Sequence, residues 1–139
     1  MQSVIDRINN LVQITNATDF NIRAFDGDNL LLTASFDHCY YHQFEVHFHD
    51  VSYIELPVYC IRTPWFSIAN DSVRRLYSHL DLDIDELLFE VHQDFDFNDG
   101  HRFYVAARQI KLIESMVYYY RRENLKPGER IADWVKDDR

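Results

Sequence analysis

The order of apolar periods along the chain predicts an α+β fold, with an antiparallel sheet of about five to six strands flanked by an N-terminal helix, a middle helix and C-terminal helices. Two observations carry this. Runs with a period of two fill the middle of the chain, while runs near a period of 3.6 lie at its start, after residue 70 and beyond residue 109. The strands also come in succession rather than in strict alternation with helices, which disfavours a doubly wound parallel sheet. With 139 residues, 47 % of them hydrophobic, the chain is sized for a single globular domain spanning 1–139 with one core.

At the N-terminus Val4, Ile5, Ile8, Leu11 and Val12 recur at helical spacing, with Asp6, Arg7, Asn9 and Asn10 elsewhere on the wheel. The polar run Thr15-Asn16-Ala17-Thr18-Asp19 then favours a loop. Phe20 to Phe25 and Leu30 to Phe36 read as paired strands, because Asp26-Gly27-Asp28-Asn29 between them supplies the positive φ of a tight turn. Phe44, Val46 and Phe48 alternate with Glu45, His47 and His49, a half-buried strand, and extended segments follow at Val51–Glu55 and Val58–Arg62. Pro57 and Pro64 border the latter and place it at an edge or bend.

Asn70 or Asp71 caps a helix through Leu80 whose inner stripe is Val73, Leu76, Tyr77 and Leu80. From about Leu88 to Phe97 the chain reads as a strand, returning through a three-residue Asn98-Asp99-Gly100 loop. That register sets Phe97 opposite His101, Phe95 opposite Phe103, Asp96 opposite Arg102, Val91 opposite Ala107 and Glu90 opposite Arg108. Beyond Gln109 the stripe Lys111, Glu114, Ser115, Tyr118 and Arg122 predicts a helix, although three consecutive tyrosines also suit a strand. After Pro127-Gly128, the residues Ile131, Trp134 and Val135 predict a short amphipathic turn that docks Trp134 on the body.

Composition narrows the function. Three glycines, no two of them close together, exclude a glycine-rich phosphate loop. Fourteen Lys and Arg against 23 Asp and Glu give a net charge of −9, the wrong sign for wrapping nucleic acid and the right sign for a basic protein partner. Cys39 and Cys60 are too sparse for a disulfide framework and are expected to be reduced. Neither a signal peptide nor a membrane span is evident, so a cytoplasmic location is expected.

Glu45, His47 and His49 occupy alternate positions and so share one face of a strand, where with Glu55 they could hold a divalent metal. His-x-His with a following Glu resembles the metal motif of the cupin barrels over these few positions. Glu55 lies one residue beyond the cupin spacing, however, and the framing glycines and second motif are missing. The same pattern also fits the wet face of a half-buried strand, which needs no ligand. Asp81, Asp83, Asp85 and Glu86 resemble the start of a calcium loop, but Glu86 stands where the turn glycine is required. They read instead as an acidic contact surface, which Tyr118 and Tyr119 would extend with aromatic rings.

No serine sits in a nucleophile elbow, and His38 would face away from Cys39 on a strand. The residues therefore point to a non-enzymatic, acidic module that binds another protein, an inhibitor or toxin-neutralising (immunity-type) protein being one concrete form. A metal- or ligand-binding protein centred on His47 and His49, and a homodimer that buries its tyrosines, are the alternatives. No cofactor is expected under the first reading.

Overall fold

The computed structural model describes residues 1–94 and 100–136. Helix α1 (Gln2–Ile14) leads into β1 (Asp19–Phe25), β2 (Leu30–Ser35), β3 (Tyr41–His42), β4 (Phe44–His49), β5 (Tyr53–Glu55), β6 (Ile61–Arg62) and β7 (Trp65–Ile68). Helix α2 (Asp71–Leu76) follows, with a 3-10 turn at Ser78–Leu80. Then come β8 (Leu87–His92), β9 (Arg102–Ala107), β10 (Gln109–Ile113), β11 (Val117–Tyr118) and β12 (Arg130–Ile131). The strands form three sheets, in the orders β10-β4-β2-β1-β6, β12-β11-β3 and β5-β9-β8-β7. All their pairings are antiparallel except β11 with β12. The fold is α+β, as the periodicities predict.

The two larger sheets share one core. Phe20, Leu32, Val46 and Phe48 from the first meet Phe66, Phe89, Val91 and Val105 from the third, and Phe48 and Phe89 pack edge to face at 5.3 Å between centroids. Helix α1 lies against β7 and β10 and adds Ile5, Ile8, Leu11 and Val12, the stripe its spacing predicts. The other face of the third sheet is also covered, because Leu88, Tyr104 and Ala106 pack beneath Val73 and Tyr77 around α2. As predicted, Asn70 caps α2 by accepting from Val73 N at 2.9 Å, and the Asp26–Asn29 turn joins β1 to β2, with Gly27 at φ 98°.

Three expectations are corrected. The C-terminal helices do not form: 109–113 is strand β10, with Ile110 buried and Gln109 and Lys111 exposed, and the tyrosine run supplies β11. Pairing with β4 along five residues gives this segment a long-range ladder that its local spacing cannot announce. The middle helix is shorter than predicted, and Leu76 points outward with 76 % of its surface exposed. The single sheet of about five to six strands is instead three sheets of five, three and four strands, because β7 and the short strands β3, β11 and β12 add pairings that local alternation does not announce, and among the described residues α1 and α2 are the only α-helices.

The β8–β9 hairpin keeps the predicted faces but not the predicted partners. Val91 opposes Phe103, and Glu90 opposes Tyr104 rather than Arg108; the pairings through 95–99 lie outside the described residues. The paired residues end at His92–Arg102, one further bond follows as Gln93 N donates to His101 O at 2.8 Å, and Asp94 then turns to β6. Asp94 N donates to Arg62 O at 2.8 Å, Arg62 N donates to Gln93 Oε1 at 3.2 Å, and the Arg62 guanidinium pairs with the Asp94 carboxylate at 3.0 Å. Gly100 closes against this turn so tightly that a Cβ would collide with the carbonyl oxygens of Gln93 and Asp94, backbone atoms that cannot rotate away. Gly100→Ala is expected to cost about 1–3 kcal/mol by overpacking, read as a lower midpoint in urea unfolding with an unchanged slope.

Candidate functional site

The outer face of the first sheet is formed on β2 and β4 by alternate residues, Leu31 and Thr33 opposite His47 and Glu45. The small sheet of β3, β11 and β12 covers the Glu45 end of this face. Glu45 is therefore 5 % exposed, not on a wet surface as its alternation with apolar residues suggests. Its carboxylate is met from three strands. His42 Nε2 donates to Oε2 at 2.7 Å, His47 Nε2 to Oε1 at 2.9 Å, and Arg130 Nη2 to Oε2 at 3.2 Å. The hydrogen bonds from His42 and then His47 outweigh burial and hold the Glu45 carboxyl well below the usual carboxylate range.

An ionised Glu45 fixes the tautomers around it. With His42 Nε2–H given to Glu45, a neutral His42 has only an acceptor at Nδ1, so the Tyr119 hydroxyl at 2.6 Å donates to it. A relay results, Tyr119 to His42 to Glu45, with His42 itself 5 % exposed. Burial pushes the Tyr119 phenol up from its ordinary value, so it stays protonated near neutral pH. Beside the relay lies a pocket of about 150 Å³ lined by Arg23, Leu31, His42, Glu45, Val117, Tyr119, Arg130, Ala132, Asp133 and Trp134. The Trp134 ring packs on Tyr119 at 5.1 Å, and the Arg23 guanidinium lies 5.1 Å from the centre of the Trp134 ring. Trp134 thus docks on the body as predicted, and it does so at the rim of this pocket.

The proposed metal set does not converge. His47 is held by Glu45, and His49 turns to Asn29 Oδ1 at 2.9 Å. Glu55 stands on β5 in the third sheet, where the hydroxyls of Tyr53 and Tyr77 donate to it at 2.6 and 3.1 Å. The Nε2 atoms of His42 and His47 both face the Glu45 carboxylate, at 2.7 and 2.9 Å. Among the described residues no group of three or more His, Cys, Asp or Glu is arranged to hold a metal ion.

The acidic segment forms a loop between the 3-10 turn and β8. Asp81, Asp83 and Asp85 are exposed, and Ile84 between them is 96 % exposed. Glu86 is buried instead, accepting from the Ser52 hydroxyl and from Asp83 N. Two arginines brace the loop: Arg74 donates to Glu86 O at 2.7 Å and Asp83 O at 3.0 Å, and Arg108 pairs with Asp83 at 2.7 Å. Tyr118 is not a surface ring either. It is 6 % exposed, its hydroxyl on Glu129 at 3.0 Å and its face under Arg122.

Arg23, Arg130 and Asp133 escaped the sequence reading, because nothing local links them to Glu45. Cys39 is exposed and Cys60 half-buried, neither lying in the core, and burial pushes the Cys60 thiol up and away from the reactive thiolate. Among the described residues no helix is long and apolar enough to cross a membrane. The chain matches no protein-family model, no curated protein and no solved structure.

Proposed function

We propose that this protein works by binding a basic protein partner, with the 81–86 loop as the contact, and that inhibition of such a partner is the concrete form of its action. The observation that carries this reading is Ile84, 96 % exposed at the tip of a loop whose backbone Arg74 holds at two carbonyls. A large apolar side chain in water has no stabilising role in the free protein, whereas on a braced loop it loses little entropy on docking. Leu76, also exposed, lies at the C-terminal end of α2, which Arg74 joins to the loop, and supplies a second apolar contact. Asp81, and Asp85 held only loosely by Arg108 at 3.7 Å, set the sign of the partner, in keeping with the net charge of −9, while Asp83 is already paired with Arg108.

Affinity capture with wild type, Ile84→Asp and Asp85→Lys in parallel tests this. A basic protein retained stoichiometrically by wild type, weakened at least ten-fold by either substitution and released as salt rises from about 0.05 to 0.5 M, is the expected result. Capture indifferent to both substitutions or to salt overturns the reading. Both positions are exposed, so the melting temperature of each variant should remain at the wild-type value.

A further inference from the structure

The pocket beside Tyr119 is built from parts that the loop-binding reading does not use. Strand β1 carries a bulge between Ile22 and Ala24, where the register against β2 steps by one residue. The bulge places Arg23 as the extra residue on the side facing Trp134, and a bulge is a means of aiming a side chain that a regular ladder does not allow. Among the described residues the Arg23 guanidinium has no hydrogen-bonded carboxylate; it has the Trp134 ring and five free donors. Arg130 gives one of its donors to Glu45 and retains others.

The charges lining the pocket decide what fits. Arg23 and Arg130 are offset by Glu45 and Asp133, so the lining is near neutral and suits a monoanion or a zwitterion rather than a dianion. A guanidinium fork matches a planar carboxylate through two parallel hydrogen bonds. Because Tyr119 gives its proton to His42, its oxygen has only lone pairs left, and the Asp133 carboxylate likewise only accepts. A ligand therefore needs a hydrogen-bond donor beside its carboxylate. The pocket is small, about 150 Å³, so the fitting probes are the smallest molecules that carry both groups.

We infer that this pocket binds a small carboxylate carrying a hydroxyl or ammonium group on the neighbouring carbon, held by Arg23 and Arg130 with Tyr119 and Asp133 as acceptors. The buried His42–Glu45 pair is a positioning device: it fixes the direction of the Tyr119 hydroxyl and the place of Arg130. The Trp134 ring, 52 % exposed, is the wall a ligand would touch on entry.

Glycolate and glycine are the probes, with acetate and inorganic phosphate as comparisons, followed through the Trp134 indole N–H signal in NMR titrations of the full chain. Saturable shifts are expected for glycolate or glycine with a Kd of order 1 mM, which of the two binds tighter showing whether the donor is hydroxyl or ammonium. Acetate, lacking the donor, is expected to bind at least about three-fold more weakly, and phosphate more weakly still. Arg23→Gln removes the fork on an exposed side chain and is expected to weaken binding at least ten-fold with an unchanged melting temperature. Tightest binding by phosphate, binding unaffected in Arg23→Gln, or no saturable shift with any of the four overturns the inference.

Discussion

Asn9→Ala is expected to destabilise the protein by roughly 2–5 kcal/mol, the summed cost of leaving a buried N–H and a buried C=O without partners. Asn9 sits on α1, 5 % exposed, and its amide faces the backbone of Phe66 in β7. Its Nδ2 donates to Phe66 O at 2.8 Å, and its Oδ1 accepts from Phe66 N at 2.8 Å. Strand β7 is the outer strand of its sheet, so on this side no neighbouring strand satisfies those groups, and one side-chain amide takes the place of a peptide unit. Alanine removes both bonds and admits no replacement from the apolar stripe around it. Asn9→Asp would keep the acceptor but set a carboxylate against the Phe66 carbonyl, so it too should destabilise. Thermal unfolding is the check, with a fall of about 10 °C expected for alanine. A loss below about 1 kcal/mol would mean that α1 and β7 are not joined by this pair.

Asn9 illustrates what a period-based reading leaves out. The spacing of Ile5, Ile8, Leu11 and Val12 announces the buried stripe, yet it sets Asn9 on the polar side of the wheel, because the reason to bury an amide lies 57 residues away. The β1–β2 hairpin was legible in its turn, since Asp26 and Gly27 carry it locally, with Asp26 Oδ1 accepting from Asp28 N and Asn29 N, but not in its bulge at Arg23. The β8–β9 hairpin was legible only in its faces. Its partners shifted where Asp94 and the Gln93 side chain turn to Arg62 on β6, a tertiary contact that competes with the loop chemistry of the residues ahead. Segment 109–113 shows the same limit, for Ile110 with Ile113 satisfies a helix stripe and Ile110 with Leu112 a strand alternation, and pairing with β4 decides. At the candidate site, alternation correctly placed Glu45 and His47 on one face of β4. It could not reveal that β3, β11 and β12 cover that face, since His42 reaches Tyr119 across 77 positions and Arg130 reaches Glu45 across 85.

Glu45→Ala is expected to cost about 3–5 kcal/mol, the range for removing one member of a buried charged group and leaving its partners without a counterpart. Arg130 would lose its tie to β4, and the imidazoles of His42 and His47 would each lose an acceptor, the buried His42 most severely. Glu45→Gln keeps the shape and should cost less, because an amide can still accept from one histidine, which makes it the better probe of the charge. The pH dependence follows from the sign of the shift. The folded state holds the Glu45 carboxyl below its ordinary value of 4.5, so the unfolded chain takes up a proton first as pH falls. The stability that wild type holds over Glu45→Gln is therefore full above about pH 4.5 and is lost progressively below it, as the pH approaches the folded value. His42 on β3, His47 on β4 and Arg130 on β12 face the carboxylate, and each carries a donor toward it, so all three act to keep it ionised. Urea unfolding of both proteins between pH 7 and pH 3 measures the difference directly. A gap that stays constant across that range would show that Glu45 is held by packing alone and that its charge contributes nothing to seating β12 over the sheet.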